Sequence, residues 1–262
     1  MKKFLTIGVI VIAVLFVLAV AKDVIIKVSV EKGAEIVTGL RLNIGSLNVG
    51  ILRTVVGIKD LKLLNPPDFP DRTMVDMPEI YVNYDLGAII GGKIHLPEVR
   101  LNLKEFVVVK NSKGKLNLDA LRTVQAQKEG KSPSQTAPGK APEIRIDSLK
   151  LSIGKVIYKD YSRPGAPAVR EFNINLNESY ANIDNPYSLA SLIVVKALMN
   201  TSIASLTNFD LQGLQGTVGD TLAGAQKTAA ATQKQAAQAA KAAAEAAKQA
   251  SDTVKNVLKS PF

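Results

Sequence analysis

The side chains that support catalysis are sparse in this chain. His95 is the single histidine among 262 residues, and there is no cysteine. A histidine-based triad, a histidine metal pair and a reactive thiol therefore cannot be built. We interpret His95 as a structural residue on the polar face of a strand. The sequence accordingly predicts no catalytic residue, no metal site and no cofactor.

The glycine-rich segment Gly87–Lys93 has the spacing of a phosphate-binding loop. Two departures argue against that function. Ile94 stands where a Ser or Thr would hold magnesium, and a strand pattern follows where a helix is required. Carboxylates offer no better site, because Asp68 and Asp71 flank Pro70 and are typical of a turn. We therefore predict that the protein is not an enzyme.

An uncharged apolar run, Phe4–Ala21, follows two lysines at the start of the chain. The run is close to the length of about 17–25 residues that a transmembrane helix needs. We predict an N-terminal transmembrane anchor over residues 1–22, with the lysines inside the cytoplasm and the body outside it. The alternative is a cleavable signal peptide, since Ala19–Ala21 fits a cleavage site. Helix could continue over Val24–Thr38 and end at Gly39.

The chain is basic, with a formal net charge of +10 and a pI of about 9.6. This balance suits contact with anionic lipid headgroups, although a basic surface that is simply solvated is the alternative. Nucleic acid is not expected as a partner of an exported chain. The absence of tryptophan also argues against a stacking surface for bases.

Apolar and polar residues alternate through much of the chain between residues 23 and 182. A period of two predicts strands with one apolar and one polar face, and short links such as Asn111–Gly114 favour an antiparallel sheet. We place the first part of a β domain at residues 23–123 and the second part at residues 143–182. Between them, residues 124–142 are rich in Gln, Lys, Ser and Pro and are predicted to form a flexible linker or loop.

Helices are predicted after the second group of strands, which makes the fold class α+β. Asn185 is a suitable N-cap and Pro186 a suitable first residue for an amphipathic helix over residues 183–210. Residues 211–262 are dominated by Ala, Lys and Gln, with a lysine every seven residues from Lys227 to Lys255. This pattern predicts a long Ala-rich helix that pairs with a partner helix or lies on a membrane. A solvated helical extension is the alternative.

The alternating strands give the predicted sheet one continuous apolar face. If the sheet is strongly twisted and open, this face forms a groove or half-barrel that can hold lipid acyl chains, each buried methylene contributing about 0.8 kcal/mol. If the protein's own helices cover the face, only a structural or interaction role is left. The residues predicted to line a groove are Ile80, Val82, Tyr84, Val99, Leu101, Leu103, Ile144 and Ile146.

The order of several segments is similar to that at the start of AsmA-family proteins. The strand Gly57–Leu64 leads into the turn Asn65–Phe69, and the strand Leu96–Leu101 follows later. This resembles the family's glycine-leucine strand and its Asn-Pro-x-Gly-Phe turn, in which Asn65, Pro66 and Phe69 match. The resemblance covers residues 1–121, with a looser continuation over residues 144–176.

The resemblance implies a twisted antiparallel sheet rolled into an apolar gutter. It also implies a single-pass anchor in the inner membrane, with the body in the periplasm. Larger family members are thought to carry phospholipid or to maintain envelope lipid balance. Asp68 departs from the family's glycine, and the chain is too short to span an envelope.

Two functions remain open. The first is a membrane-anchored envelope protein that binds or handles membrane lipid in an apolar β-groove. The alternative is a structural or interaction scaffold, whose Ala-rich tail binds other envelope proteins or a membrane surface.

Overall fold

The structure, a computed structural model, describes residues 22–139, 142–216 and 218. Residues 22–38 form the first helix, α1, and Gly39 follows it with a φ of 80°. The six strands are β1 Leu42–Gly50, β2 Val55–Leu64, β3 Thr73–Asn83, β4 Ile94–Lys110, β5 Ile144–Asp160 and β6 Ala168–Ile183. The later helices are α2 Leu86–Ile90, α3 Arg122–Lys128, α4 Pro133–Thr136, α5 Pro186–Leu198, α6 Ile203–Thr207 and α7 Leu211–Gly216, with a 3-10 helix at Asn117–Ala120.

The six strands form one mixed sheet in chain order, which corrects the predicted antiparallel sheet. β4 and β5 are parallel, whereas the other four neighbouring pairs are antiparallel. Parallel neighbours need a long crossover connection. Here the chain turns at Asn111, returns through the 3-10 helix and α3, and starts β5 with Ile144 paired to Ile94. The short turn after β4 therefore does not lead directly into the neighbouring strand.

The crossover contains structure where we expected a flexible linker over residues 124–142. Two short helices, α3 and α4, lie in this segment. Val124 and Ala126 on α3 are fully buried, and Val124 belongs to the main core. Two buried apolar residues in a polar segment are thus enough to fix this short helix, which contacts α5 and α7.

The strands are longer than the sequence pattern indicates, because the apolar alternation changes phase inside them. A regular strand turns residues i and i+3 to opposite faces. Leu103 and Phe106 on β4 nevertheless share the main core, as do Ile153 and Val156 on β5. The register between β5 and β6 shifts at this point of β5. Such irregularities keep both halves of a long strand on the core face.

Helix α1 covers the outer edge of β1. The carboxylate of Glu31 accepts a hydrogen bond from the Ile44 N–H at 3.3 Å, and Asp23 accepts one from the Val49 N–H at 3.0 Å. Val30 packs against the apolar cluster that β1, β2 and β3 share. An edge strand otherwise leaves such N–H groups open to another chain.

Two short helices, α5 and α6, lie where we expected a single amphipathic helix over residues 183–210. Asn185 caps α5 and Pro186 is its first residue, as the sequence predicts. The helix ends near Met199, and Asn208 closes α6 with a φ of 54°. Nearly all of the Ala-rich tail predicted for residues 211–262 lies outside the described residues, which extend to α7 and Val218.

No helix in residues 22–139, 142–216 and 218 is long and apolar enough to cross a membrane. The described fold is therefore α+β with a mixed sheet, and not the predicted fold of a transmembrane helix joined to an antiparallel half-barrel. The segment predicted to be the anchor, Phe4–Ala21, lies outside the described residues.

Candidate functional site

The structure brings the eight predicted groove residues together around β3, β4 and β5. Ile80 pairs with Leu101, and Val82 pairs with Val99. Ile146 pairs with Leu96 on the other side of β4. Seven of the eight contribute to the two apolar clusters on this part of the sheet: Ile80, Val82, Val99, Leu101, Leu103, Ile144 and Ile146. Tyr84 follows β3, is buried, and donates a hydrogen bond from its hydroxyl to the Gly50 carbonyl at 3.2 Å.

The protein's own helices cover this apolar face. Leu103 is 0% exposed, Ile146 is 2% exposed and Val99 is 4% exposed. The same cluster contains the fully buried α5 residues Leu192 and Val195, together with residues of the 3-10 helix, α3, α6 and α7. Val82, Leu101 and Ile144 are half-buried against these clusters. Five of the eight candidate groove residues thus lie in the packed interior, where side chains already supply the contacts that an acyl chain would make: Ile80, Tyr84, Val99, Leu103 and Ile146.

The turn that carries the family resemblance is built into the sheet. Asn65 donates to the Asp71 carbonyl at 2.8 Å and accepts from the Asn117 amide at 2.8 Å. Phe69 is buried with Val107 and Val109 on the face of β4 opposite the main core. Asn65 and Phe69 therefore stabilise the fold, and Pro66 accepts the turn hydrogen bond from the Phe69 N–H.

Two concavities of mixed polarity lie on the surface. One has a volume of about 650 Å³ and is lined by Ser132, Glu143, Asp184 and Tyr187 among others. The second, of about 360 Å³, lies on the polar face of the sheet, where the Arg100 guanidinium stacks 4.5 Å from the Tyr81 ring centre. Leu101 is the one predicted groove residue in either wall. Neither concavity resembles an apolar trough.

His95 is held between two carboxylates at the start of β4. Its Nε2 atom lies 2.7 Å from Asp147 Oδ2, and its Nδ1 atom lies 3.2 Å from Asp85 Oδ2. Asp85 also caps α2 by accepting from the Ala88 N–H at 3.0 Å, and Arg145 donates to the other oxygen of Asp147 at 2.9 Å. His95 therefore joins α2 to β5.

These contacts shift the pKa values of His95, Asp147 and Asp85. The hydrogen bond to Asp147, followed by that to Asp85, raises the pKa of His95. The pKa of Asp147 is lowered chiefly by His95, and that of Asp85 is lowered by the Ala88 N–H and then by His95. A neutral imidazole has one N–H, so both contacts are hydrogen bonds only when the ring is protonated.

The chemistry that this cluster can support is limited. Both nitrogens of the protonated His95 ring donate protons, which leaves no lone pair for a base or a metal ligand. Within the described part of the chain, no group of three His, Asp or Glu side chains is placed to hold a metal ion. The cluster therefore links structural elements, and the link carries a charged imidazole whenever the ring is protonated.

A different feature was missed by the sequence reasoning, namely exposed apolar side chains gathered at one end of the sheet. Leu52 is 100% exposed in the β1–β2 turn, and Ile90 is 80% exposed at the end of α2. We call the whole set the apolar end: Val24, Ile25, Val28, Ile51, Leu52, Leu86, Ile89, Ile90 and Ile94. The signal in the sequence was two pairs of large apolar residues, Ile51-Leu52 and Ile89-Ile90, inside turn-forming segments.

The comparison with known proteins adds no identification. No family model matches the chain, and no curated protein matches it. The relationship to the AsmA family thus stays a prediction from the order of segments around Asn65–Phe69.

Proposed function

We propose that this chain is a non-enzymatic scaffold protein of a membrane surface. Its body presents interaction surfaces to other molecules and does not carry lipid in a groove. The observation that supports this choice over lipid transport is the closed core, in which α5 packs onto the apolar face of the sheet and α3 contributes Val124 to the same cluster.

The packing leaves little space for an acyl chain at the predicted site. Side chains from the sheet and from α5, such as Leu151 and Leu192, are 0% exposed in one continuous cluster. Protein interiors pack as densely as organic crystals, so a lipid tail could enter only if α5 moved away. That movement would expose buried area worth about 25 cal/mol per Å².

Two further observations support a role without catalysis. The single histidine is engaged on both sides by Asp85 and Asp147. Other charged side chains on the polar face of the sheet form ion pairs, such as Lys150 with Glu98 at 2.8 Å. Pairing with Arg100 and Lys150 lowers the pKa of Glu98 to about 2, which keeps this carboxylate ionised and unsuited to general-acid catalysis.

The experiment is a lipid count on the full chain. The protein is extracted in detergent, exchanged exhaustively into lipid-free detergent, and examined by native mass spectrometry. A scaffold with a filled core is expected to retain no lipid in fixed ratio to protein. One retained phospholipid per chain would contradict the proposal.

A matched pair of variants makes the count specific. Val82→Trp adds bulk to the predicted groove, whereas Val169→Trp adds the same bulk to an exposed position of β6. Retained lipid that Val82→Trp removes and Val169→Trp leaves in place would assign the lipid to the groove. Equal and negligible lipid in all three proteins would support the scaffold.

A further inference from the structure

The exposed large apolar side chains of the described residues are not scattered. Twelve are exposed, and nine of these belong to the apolar end; the other three are Val169, Met199 and Leu206. Single exposed apolar residues are ordinary, but a contiguous group marks a contact surface. The concentration of nine at one end therefore requires an explanation.

Hydrogen bonds show that the three segments of the apolar end are neighbours. The Tyr84 N–H donates to the Thr54 carbonyl at 2.9 Å, which places the start of α2 beside the β1–β2 turn. Asp23 accepts from the Val49 N–H at 3.0 Å, which places the start of α1 beside the same turn. The surface thus consists of two tips, Ile51-Leu52 and Ile89-Ile90, next to the first turns of α1.

The charges around the tips are basic. Arg53 directly follows the Ile51-Leu52 tip, Lys93 lies three residues after the end of α2, and both side chains are exposed. Two acids of the segments that carry the tips are already engaged, since Asp23 pairs with Lys22 at 2.7 Å and Asp85 contacts His95. Apolar tips flanked by exposed cations are the pattern of proteins that rest at an anionic bilayer interface.

The position of the apolar N-terminal run in the sequence also agrees with a bilayer as the partner of the apolar end. In the sequence, the apolar run Phe4–Ala21 immediately precedes Lys22, and residue 22 lies at this end of the body. An apolar segment that enters a bilayer would bring the tips to the same surface. A protein partner would need neither this continuity nor the flanking cations.

We propose that the apolar end rests on an anionic bilayer surface. Ile51-Leu52 and Ile89-Ile90 enter the interfacial region, and Arg53 and Lys93 contact lipid phosphates. The proposal rests on the proposed membrane-surface scaffold and adds the face that contacts the bilayer, the lipid charge and the orientation of the body. It stands or falls separately from the lipid count, because it concerns the outer surface and not the core.

The test measures the depth of single sites in a membrane. The chain has no cysteine, so Leu52→Cys and Ile90→Cys each give one site for an environment-sensitive fluorophore. Val169→Cys and Met199→Cys are matched controls, because these positions are 50% and 49% exposed and lie outside the apolar end. The full chain is placed in nanodiscs of equal parts phosphatidylcholine and phosphatidylglycerol.

A quencher attached to lipid headgroups is expected to act several-fold more strongly at positions 52 and 90 than at positions 169 and 199. Iodide in the water should show the reverse order. Equal iodide quenching at all four sites would overturn the proposal. Protection from iodide at 52 and 90 without lipid quenching would also overturn it, since it would indicate a second copy or another protein.

Charge reversal tests the anionic part of the proposal. Arg53→Glu combined with Lys93→Glu should reduce lipid quenching at position 52 several-fold in the mixed nanodiscs, and little in nanodiscs of phosphatidylcholine alone. An unchanged thermal unfolding curve shows that the fold is intact. Equal quenching with and without the charge reversal would contradict the assignment of Arg53 and Lys93 to lipid phosphates.

Discussion

His95 Nε2 lies 2.7 Å from Asp147 Oδ2, and this contact joins the start of β4 to its parallel neighbour β5. Asp85 on the other side of the ring extends the link to α2. The two carboxylates face the ring from different elements, and Arg145 next to Asp147 partly offsets their charge.

The first prediction concerns pH. Because both carboxylates raise the pKa of His95 above its ordinary value of 6.5, the protonated ring stabilises the folded state. This contribution is fully present below pH 6.5 and is lost as the pH rises through the folded-state pKa. His95→Gln should therefore lower the free energy of unfolding more at about pH 5.5 than at about pH 8.5, measured by urea unfolding.

A direct titration checks the same point. His95 is the only histidine, so its imidazole proton resonances can be followed by NMR without ambiguity. The pKa should lie above 6.5 in the native protein and should fall in Asp147→Asn. A native pKa at or below 6.5 would contradict the charged link.

The second prediction concerns the irregular point in β5. A Cβ atom at Gly154 would lie 2.8 Å from the Lys104 carbonyl oxygen, and backbone cannot move aside cheaply. Gly154→Ala should destabilise the protein by about 1–3 kcal/mol, as other overpacking changes do. Gly57→Ala is the matched control, because a Cβ in that strand meets no atom within 4 Å. Equal unfolding midpoints for the two variants would show that the close approach is not needed.

The third prediction concerns a buried amide. Asn117 is 0% exposed; it donates to the Val107 carbonyl at 2.8 Å and accepts from the Val109 N–H at 2.9 Å. Asn117→Ala would leave both backbone groups without this partner, at a cost of more than about 2 kcal/mol. Asn173→Ala on exposed β6 should change stability far less. A small, equal loss in both variants, measured by urea unfolding, would show that the buried amide is replaceable.

The fourth prediction separates the core from the apolar end with one type of substitution. Leu192 on α5 is 0% exposed and Leu52 is 100% exposed. Leu192→Ala should cost about 2–5 kcal/mol, the range for buried leucines. Leu52→Ala in detergent should change stability by less than about 0.5 kcal/mol, as surface changes do. Thermal unfolding that responded equally to both would show that Leu52 belongs to the core.

Local sequence features predicted the elements that local interactions define. The strand predicted at Gly57–Leu64 lies within β2, and the Asn185-Pro186 pair located the start of α5. Within β4, the sequence pattern identified the segment Leu96–Leu101 but not the full strand, because the step from Leu103 to Phe106 breaks the alternation. Only pairing with neighbouring strands shows that the strand continues.

Local sequence features could not predict that the protein's own helices pack on the apolar face of the sheet. An apolar strand face has the same pattern whether lipid, a helix or another chain lies against it. The decision rests on long-range packing, as in the contact of Leu192 on α5 with the sheet. The parallel pairing of β4 and β5 also depends on the crossover between them. That segment is mostly polar, so its sequence does not indicate that Val124 and Ala126 are buried.

The two edges of the sheet have one shared consequence. Carboxylates of α1 occupy N–H groups along β1, and β6 contains Asn175 and Asn182 with φ values of 48° and 56°. Left-handed residues interrupt the even spacing of hydrogen-bonding groups that an added strand requires. The sheets of neighbouring copies would therefore not pair edge to edge through β1 or β6, and each copy would keep a separate six-stranded sheet.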